Sequence, residues 1–367
     1  MPLSAVDTIP IAFRHAVEQT FKPFRFGQWN RLAFVGLLAG ELGSGGCHVS
    51  NNFNVPSSGG GEVGQIPHLS MPTLSQLGID PAALAAVIAV LVVSALVLGF
   101  VFMYISSVMR FILFDSVLTR ECRIGAGWSR RQGEGFRYFL FKIAYFILTV
   151  GGLAVLLGIP AALALAAGWF RDPKQHIAPL VLVGVLAFAA LGIFLLLMAV
   201  GFVLTKDFVV PQMALEGIGV VESWRRLWGM IGTDKGSYAF YIILKIVLAM
   251  GAALAVGIAT VVLGFVIAVP AIAMSLIAII TGQSAGLTWN VYTITLAVVV
   301  GSILLAVFLY LVSLISVPVI VFFPAYSIHF FAARYPRLEA ALHPTVVTAP
   351  AQDLPPAPPL PPNPEPI

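Results

Sequence analysis

The side chains that could carry out chemistry are few and widely spaced in this sequence. One cysteine and three histidines fall in connecting stretches, namely Cys47, His48, His68 and His176. Thiolates and imidazoles are preferred zinc ligands, but zinc sites use short, regular ligand spacings that these residues lack. The sequence also lacks an HExxH zinc motif, a phosphate-binding lysine loop and a CxxC pair. We therefore expect no enzymatic activity, no cofactor and no metal.

Three acids stand out because they lie at the ends of apolar segments. Asp115 and Asp207 are close in sequence to Arg110 and Lys206, which favours local charge pairing over a proton relay. Glu41 follows a short apolar stretch, and a charge at the centre of a bilayer would cost about 2.5–3.5 kcal/mol. The favoured interpretation places Glu41 in water at the outer face of the membrane. A functional acid inside the membrane is the alternative.

A predominantly apolar chain must position these residues. Of the 367 residues, 59% are hydrophobic and 10% are charged, whereas roughly 25% are charged in soluble domains. Several apolar runs exceed the roughly 18 residues that indicate a transmembrane helix. The composition therefore predicts an all-α, polytopic transmembrane helical bundle. The net charge of +4 is spread over the connections, and this gives no indication of nucleic-acid binding.

The basic residues predict the topology. The clear spanning segments are 81–113, 138–169, 178–205, 238–269 and 289–322. All but two of the lysines and arginines precede the first apolar stretch, follow the last or lie in alternate connections. The positive-inside rule places those regions, and both termini, in the cytoplasm. Residues 32–46 must then also cross, although 15 helical residues reach only about 22 Å of the roughly 30 Å core. We predict about six spans, with a re-entrant first segment as the alternative.

Short stretches recur along the chain and predict three parallel two-helix repeats. A tryptophan followed by bases occurs in "GQWNRL" (27–32), "AGWSRR" (126–131) and "ESWRRL" (222–227). "YFLFKI" (138–143) and "YIILKI" (241–246) each place a lysine four residues after a tyrosine. Each unit would consist of a cytoplasmic aromatic-basic segment, a span outwards and a span back.

The aromatic-basic segments predict cytoplasmic interfacial helices. Residues 218–231 and 9–21 each gather apolar side chains on one helical face, as in helices that lie on the inner leaflet. Tryptophan prefers the headgroup level, each nearby base gains about 1 kcal/mol from anionic lipid, and lysines can extend back to that level. The predicted interfacial anchors are Trp29, Arg31, Trp128, Arg130, Lys142, Trp224, Arg225, Trp228 and Lys245. Specific headgroup binding or docking of a partner is the alternative role.

Three regions are expected along the chain. Residues 1–31 form a cytoplasmic N-terminal interfacial helix and an aromatic-basic segment. Residues 32–335 form the six-helix transmembrane domain, which includes an outer loop over 47–78. Residues 336–367 form a disordered, proline-rich cytoplasmic tail. The tail contains "PPAPPLPP", for which a spacer is favoured over a peptide ligand.

Three stretches carry a resemblance to a known family. "FKPFRFGQWNRLAFVGLLAG", "FILFDSVLTRECRIGAGWSRRQGEGFRYFLFK" and "DFVVPQMALEGIGVVESWRRLW" resemble a family of uncharacterised bacterial polytopic membrane proteins. That family is similar to the membrane domain of some glycerophosphodiester phosphodiesterases. The resemblance covers most of residues 10–335 and implies a multi-pass protein of the bacterial cytoplasmic (inner) membrane. It transfers no catalytic or binding residue.

Together these features predict a non-enzymatic membrane protein that organises lipids or partner proteins. Its expected partners are the anionic lipids of the inner leaflet and a protein bound at the cytoplasmic helices or the proline-rich tail. The alternative is a transporter or channel for an apolar or lipid-like solute, in which Pro160 and Pro270 would introduce kinks. An intramembrane enzyme is a third, less favoured interpretation.

Overall fold

A computed structural model describes residues 4–41, 81–169, 176–284 and 291–343. Regular structure in these ranges is helical throughout. A π-helical turn, Thr205–Val209, joins the fifth helix to the sixth. The helices are α1 (Thr8–Phe21), α2 (Phe26–Ala39), α3 (Pro81–Thr119), α4 (Ile124–Ala166), α5 (Ile177–Leu204), α6 (Val210–Glu216), α7 (Val220–Thr233), α8 (Lys235–Ser284), α9 (Val291–Ile315), α10 (Val317–Ala332) and α11 (Pro336–Leu342).

Five helices in the described ranges are long and apolar enough to cross a membrane. They are α3, α4, α5 with its continuation to Glu216, α8 and α9. The most apolar stretch of each is almost wholly exposed on the protein surface. Apolar surface of this extent is stable against lipid rather than water. The chain is therefore a multi-pass membrane protein with a helical bundle, as its composition predicts.

The predicted first span, residues 32–46, contains only the end of the short helix α2. Its 14 residues span roughly 21 Å. Gly40 ends the helix with a left-handed φ of 77°, and the Glu41 amide donates back to the Gly36 carbonyl at 2.9 Å. This is the Schellman arrangement, for which glycine is best suited. Five candidate spans are thus found where six were predicted, and residues 42–46 lie outside the described ranges.

Most buried residues lie at one end of the long helices, which we call the packed end. It comprises α1, α2, α6, α7, α10, α11 and the adjoining ends of α3, α4, α5 and α8. Helix α10 lies at its centre and buries most of its residues, while α1 packs along it. Tyr241 stacks on Tyr326 and Phe330, with ring centroids 5.1 and 4.5 Å away. The apolar shafts of the long helices extend away from this core.

The predicted region boundaries agree only in part with the helices. The boundary at residue 31 falls inside α2. The first residues of the predicted tail form α11, whose Leu338 is buried. The predicted outer loop over 47–78 and the tail from residue 344 lie outside the described ranges.

Candidate functional site: a buried charge cluster

Five charged side chains from four elements meet inside the packed end and form what we call the charge cluster. Glu41 follows the Gly40 turn, Arg110 lies on α3, Lys206 and Asp207 lie in the π-helical turn, and Lys245 lies on α8. None of the five side chains is more than 12% exposed. Charges buried in a membrane protein normally require pairing, because their desolvation is costly.

Glu41 is paired through both of its carboxylate oxygens. Oε1 accepts a hydrogen bond from an Arg110 guanidinium nitrogen, and Oε2 accepts one from the Lys206 ammonium. A second Arg110 nitrogen donates to the Ala39 carbonyl at 2.9 Å, one of the carbonyls left unpaired at the end of α2. The prediction that Glu41 lies in water is therefore wrong. The left-handed turn at Gly40 brings the carboxylate back into the bundle.

Asp207 forms the second half of the charge cluster. Its Oδ2 accepts hydrogen bonds from the Lys245 ammonium and, at 3.1 Å, from the Tyr241 hydroxyl. The neighbouring Lys206 points the other way, towards Glu41. Successive residues of a helical turn project in different directions, and the widened π turn is a form often found at functional sites. Helix α7 supports this turn, since Trp224 Nε1 donates to Thr205 Oγ1 at 3.2 Å.

Positive charge exceeds negative charge in the charge cluster, where two carboxylates face three cations. The buried Arg110 Nε makes no hydrogen bond to the described residues. A cavity of about 20 Å³ lies beside Arg110, Lys206, Asp207 and Ser327. That volume is sufficient for one water molecule with several polar partners. The site can therefore hold fixed charges and a single water, and it holds four chain segments in register.

Lys142 and Lys245 both point into the bundle. Lys142 Nζ donates to Ser106 at 3.1 Å and lies 5.0 Å from the ring centroid of Tyr138. Lys245 lies 5.8 Å from the Tyr241 ring centroid while it pairs with Asp207. Each ammonium therefore has a hydrogen-bond acceptor within the protein, and the level of these lysines relative to the lipid headgroups stays a prediction. The two stretches share this lysine-over-tyrosine arrangement, whereas the threefold repeat stays a prediction.

A further, partly buried ion pair outside the charge cluster joins three helices. Arg131 of α4 makes a bidentate contact with Asp115 of α3, with both N–O distances 2.7 Å. A third Arg131 nitrogen donates to the Ala214 carbonyl of α6 at 2.7 Å. The sequence-based expectation of local pairing with Arg110 and Lys206 is therefore wrong for both Asp115 and Asp207. Their partners are Arg131 and Lys245.

The first four predicted anchors lie at the edge of the packed end. Trp29 Nε1 donates to the Leu314 carbonyl at 2.9 Å, and the half-buried Trp128 ring packs edge-on against Tyr104. Arg31 contacts the Cys122 carbonyl at 3.4 Å, and Arg130 is exposed. The two tryptophans therefore fix helices to one another.

The predicted lipid-facing side of helix α7 is partly buried against the protein and partly exposed. Val220 and Leu227 are buried in the core, Trp224 is half-buried and Trp228 is 68% exposed. Arg225 is exposed and pairs with Glu222 one helical turn before it. The helical period identifies the apolar face correctly, but half of that face meets α6 and the π turn.

Sequence reasoning missed the charge cluster as a unit. Glu41, Arg110 and Lys206 are far apart in the chain. Glu41 and Arg110 have no charged residue in their immediate neighbourhood, and Lys206 has only the adjacent Asp207. A usable signal existed at Gly40, because a glycine just after a helix favours a left-handed cap that reverses the chain. Applied to "GLLAGE", that rule turns Glu41 back towards the helix rather than away into water.

A histidine pair should make the packing of α1 on α10 sensitive to pH. His329 Nε2 lies 3.2 Å from His15 Nδ1, and His15 Nε2 lies 3.0 Å from the Val117 carbonyl. Burial, with the charges of His15, His343 and Arg120, lowers the pKa of His329 to about 4, and burial and Arg120 lower the pKa of His15. Histidine in the unfolded chain binds a proton near pH 6.5. The contribution of the two neutral histidines to stability is therefore complete above that pH and decreases as the pH falls towards 4.

The unfolding midpoint in detergent, followed from pH 7.5 to 4, measures this effect. His329→Gln should flatten the decrease between about pH 6.5 and 4. The matched variant His343→Gln, at an exposed histidine, should leave most of it. An equally steep decrease in His329→Gln would contradict the assignment.

The fold and the buried charge cluster define a polytopic helical membrane protein. Comparison with protein families matches residues 3–341 to a family of unknown function (DUF7544), and the chain belongs to that family. Comparisons with curated proteins and with solved structures give no match. The expectation of an uncharacterised family is thereby confirmed, but the match does not extend to glycerophosphodiester phosphodiesterases.

Proposed function

We propose that this protein is a non-enzymatic membrane protein that organises lipids or partner proteins around its long helices. The observation that carries the proposal is the contrast between its two parts. One end is a packed core held by buried ion pairs, while the apolar shafts bury almost none of their most hydrophobic stretches. Surface of that kind must be covered by lipid or by other membrane helices.

The form of the charge cluster supports a structural rather than a transport role. Its acids are paired with cations from different helices, and the adjoining cavity has room for one water. Removing a partner from such a pair is costly, so the pairs hold the helices in a fixed arrangement. Transport of an apolar or lipid-like solute is the alternative that the experiment below must distinguish.

The exposed connection between α1 and α2 supports contact with anionic lipid. Phe21, Phe24 and Phe26 are 49%, 58% and 58% exposed, and the exposed bases Lys22 and Arg25 alternate with them. Aromatic rings prefer the headgroup level, and bases there are attracted to anionic lipid.

We include in the proposal an inner-membrane location with the packed end and both termini in the cytoplasm. We also propose that the chain contains three parallel two-helix repeats and is similar to the membrane domain of some glycerophosphodiester phosphodiesterases.

Reconstitution of the full chain tests the proposed function. Vesicles of phosphatidylethanolamine and phosphatidylglycerol are used, and energy transfer from the protein to a labelled anionic lipid measures local enrichment. We expect enrichment, together with transfer of a fluorescent phospholipid between leaflets no faster than in protein-free vesicles. Lys22→Gln with Arg25→Gln should reduce the enrichment more than Lys235→Gln with Arg337→Gln, which removes the same charge elsewhere. Accelerated lipid transfer without enrichment would favour the transporter.

The proposed orientation predicts the labelling of an introduced thiol. Cys122 is unsuitable as a reporter because it is buried, and burial raises the pKa of its thiol. Glu121→Cys, made together with Cys122→Ser, places a thiol at an exposed position between α3 and α4. A membrane-impermeant maleimide should label it only after permeabilisation. Cys47, which lies outside the described ranges, is retained as the reporter predicted to react in intact cells. Labelling of position 121 in intact cells would show that the protein has the opposite orientation.

A further inference from the structure

A cleft of about 600 Å³ opens between α7, α8, α10 and α11, and we call it the α7–α11 cleft. Its volume falls within the range of small-molecule binding sites. None of the charge cluster residues lines it. Its walls combine apolar and ionisable side chains, including Met230, Asp234, Tyr238, His329, Glu339 and Leu342.

Tyr238 brings an unpartnered polar atom to this cleft. The residue is only 2% exposed, and its hydroxyl makes no hydrogen bond to the described residues. Its ring is fixed edge-on against Phe208 and Phe330, with centroid distances of 5.3 and 5.8 Å. Buried tyrosine hydroxyls usually have a partner. The hydroxyl oxygen is itself covered in the free protein, so a polar group of a ligand reaches and satisfies it by displacing side chains of the cleft wall.

The charges around the cleft favour a ligand that donates hydrogen bonds. Arg334 directs Nε and one terminal nitrogen to Asp234, at 3.2 and 3.1 Å, and its guanidinium lies 4.1 Å from the Phe330 ring centroid. Asp234 therefore balances the arginine, and Glu339 adds a further carboxylate to the wall. His329 contributes a neutral imidazole at pH 7, because burial lowers its pKa to about 4. His343, the residue directly after α11, also lines the cleft.

We propose that the α7–α11 cleft binds the protonated amino group of a small organic amine with an apolar body. Glu339 provides the counter-charge, and the Tyr238 hydroxyl accepts a hydrogen bond from the ammonium. Met230 and Leu342 contact the apolar part of the ligand. The same ammonium chemistry is available from a free amine and from the headgroup of an aminophospholipid. This inference goes beyond the proposed function and does not depend on it.

Binding of phenethylamine to the full chain in detergent at pH 8 tests the proposal, with 2-phenylethanol as the uncharged ligand of similar shape. We expect calorimetric binding of the amine and not of the alcohol. Glu339→Gln should weaken binding about tenfold or more, because it removes a charge-assisted contact. Tyr238→Phe should weaken binding several-fold without lowering the unfolding midpoint, since the hydroxyl has no partner in the free protein. Glu121→Gln, an exposed acid elsewhere, should bind as the unchanged protein does.

The source of the natural ligand is distinguished in nanodiscs. If the headgroup of phosphatidylethanolamine occupies the cleft, discs containing that lipid should suppress phenethylamine binding relative to discs of phosphatidylglycerol alone. Equal binding in both discs assigns the cleft to free amines. The proposal is overturned if the alcohol binds as tightly as the amine, or if Glu339→Gln binds like the unchanged protein. The glutamine variant decides the question even if Tyr238→Phe does not fold, because Glu339 is exposed.

Discussion

Glu41→Gln is expected to lower the free energy of unfolding by about 3–5 kcal/mol, the usual cost of removing one partner from a buried ion pair. Glu41 receives Arg110 on one oxygen and Lys206 on the other, and its side chain is 1% exposed. The glutamine has almost the same shape and carries no charge. Two cations would then remain buried at one site without their shared counter-ion, with Asp207 already paired to Lys245.

Unfolding of the purified chain by denaturant in mixed micelles measures this loss. Glu121→Gln is the matched control, because it removes the same charge from a side chain that is 59% exposed. It should change the unfolding free energy by less than about 1 kcal/mol. Combining Glu41→Leu with Arg110→Met and Lys206→Met should recover most of the stability, since apolar replacement of a whole buried ionic group is often tolerated. A Glu41→Gln protein as stable as the control would show that the charge cluster does not hold the packed end together.

Gly135→Ala should destabilise the contact between α3 and α4 by about 1–3 kcal/mol through overpacking. A Cβ at residue 135 would lie 2.6 Å from Val108 Cγ2 and 3.0 Å from the Val108 Cα. The side-chain clash can be relieved by rotation, but the contact with the main chain requires the helices to move apart. Small residues at such crossings allow membrane helices to approach closely.

Gly133→Ala in the same helix provides the control for this substitution. A Cβ at residue 133 would meet nothing within 4 Å, so only helix propensity changes, which favours alanine by up to about 1 kcal/mol. The two variants should therefore shift the unfolding midpoint in opposite directions. Equal shifts would mean that α3 and α4 are not in close contact at Val108.

The architecture was largely predictable from local composition, because a long apolar run has few alternatives to a membrane helix. The predicted span 81–113 corresponds to α3, and the span 178–205 corresponds to α5. Helix α4 begins at Ile124, well before its predicted span at 138, because its polar first turns are stabilised by Arg131 and its contacts. Apolar content alone does not reveal a helical segment that tertiary contacts stabilise.

The partners of the buried charges were not predictable in the same way. Local reasoning pairs Asp207 with the adjacent Lys206, yet its partner Lys245 is 38 residues further along the chain. Closeness in sequence does not show which of two adjacent charges faces a given neighbouring helix. Periodicity likewise identified the apolar face of α7, but the burial of Leu227 and the exposure of Trp228 depend on where α6 and the π turn lie.

The pairing of Glu41 has a consequence for how the protein is made. During synthesis Glu41 is added 69 residues before Arg110 and 165 residues before Lys206. At about 5–20 residues per second, the second cation follows the acid by roughly 8–33 seconds. Throughout that interval the carboxylate lacks at least one of its final partners, whichever helices have already entered the bilayer. Arg110, on the first of the long helices, already balances the charge of Glu41, whereas Lys206 follows the third. Full pairing of both carboxylate oxygens therefore requires three long helices, and a chain stopped earlier leaves one oxygen of Glu41 without its final partner.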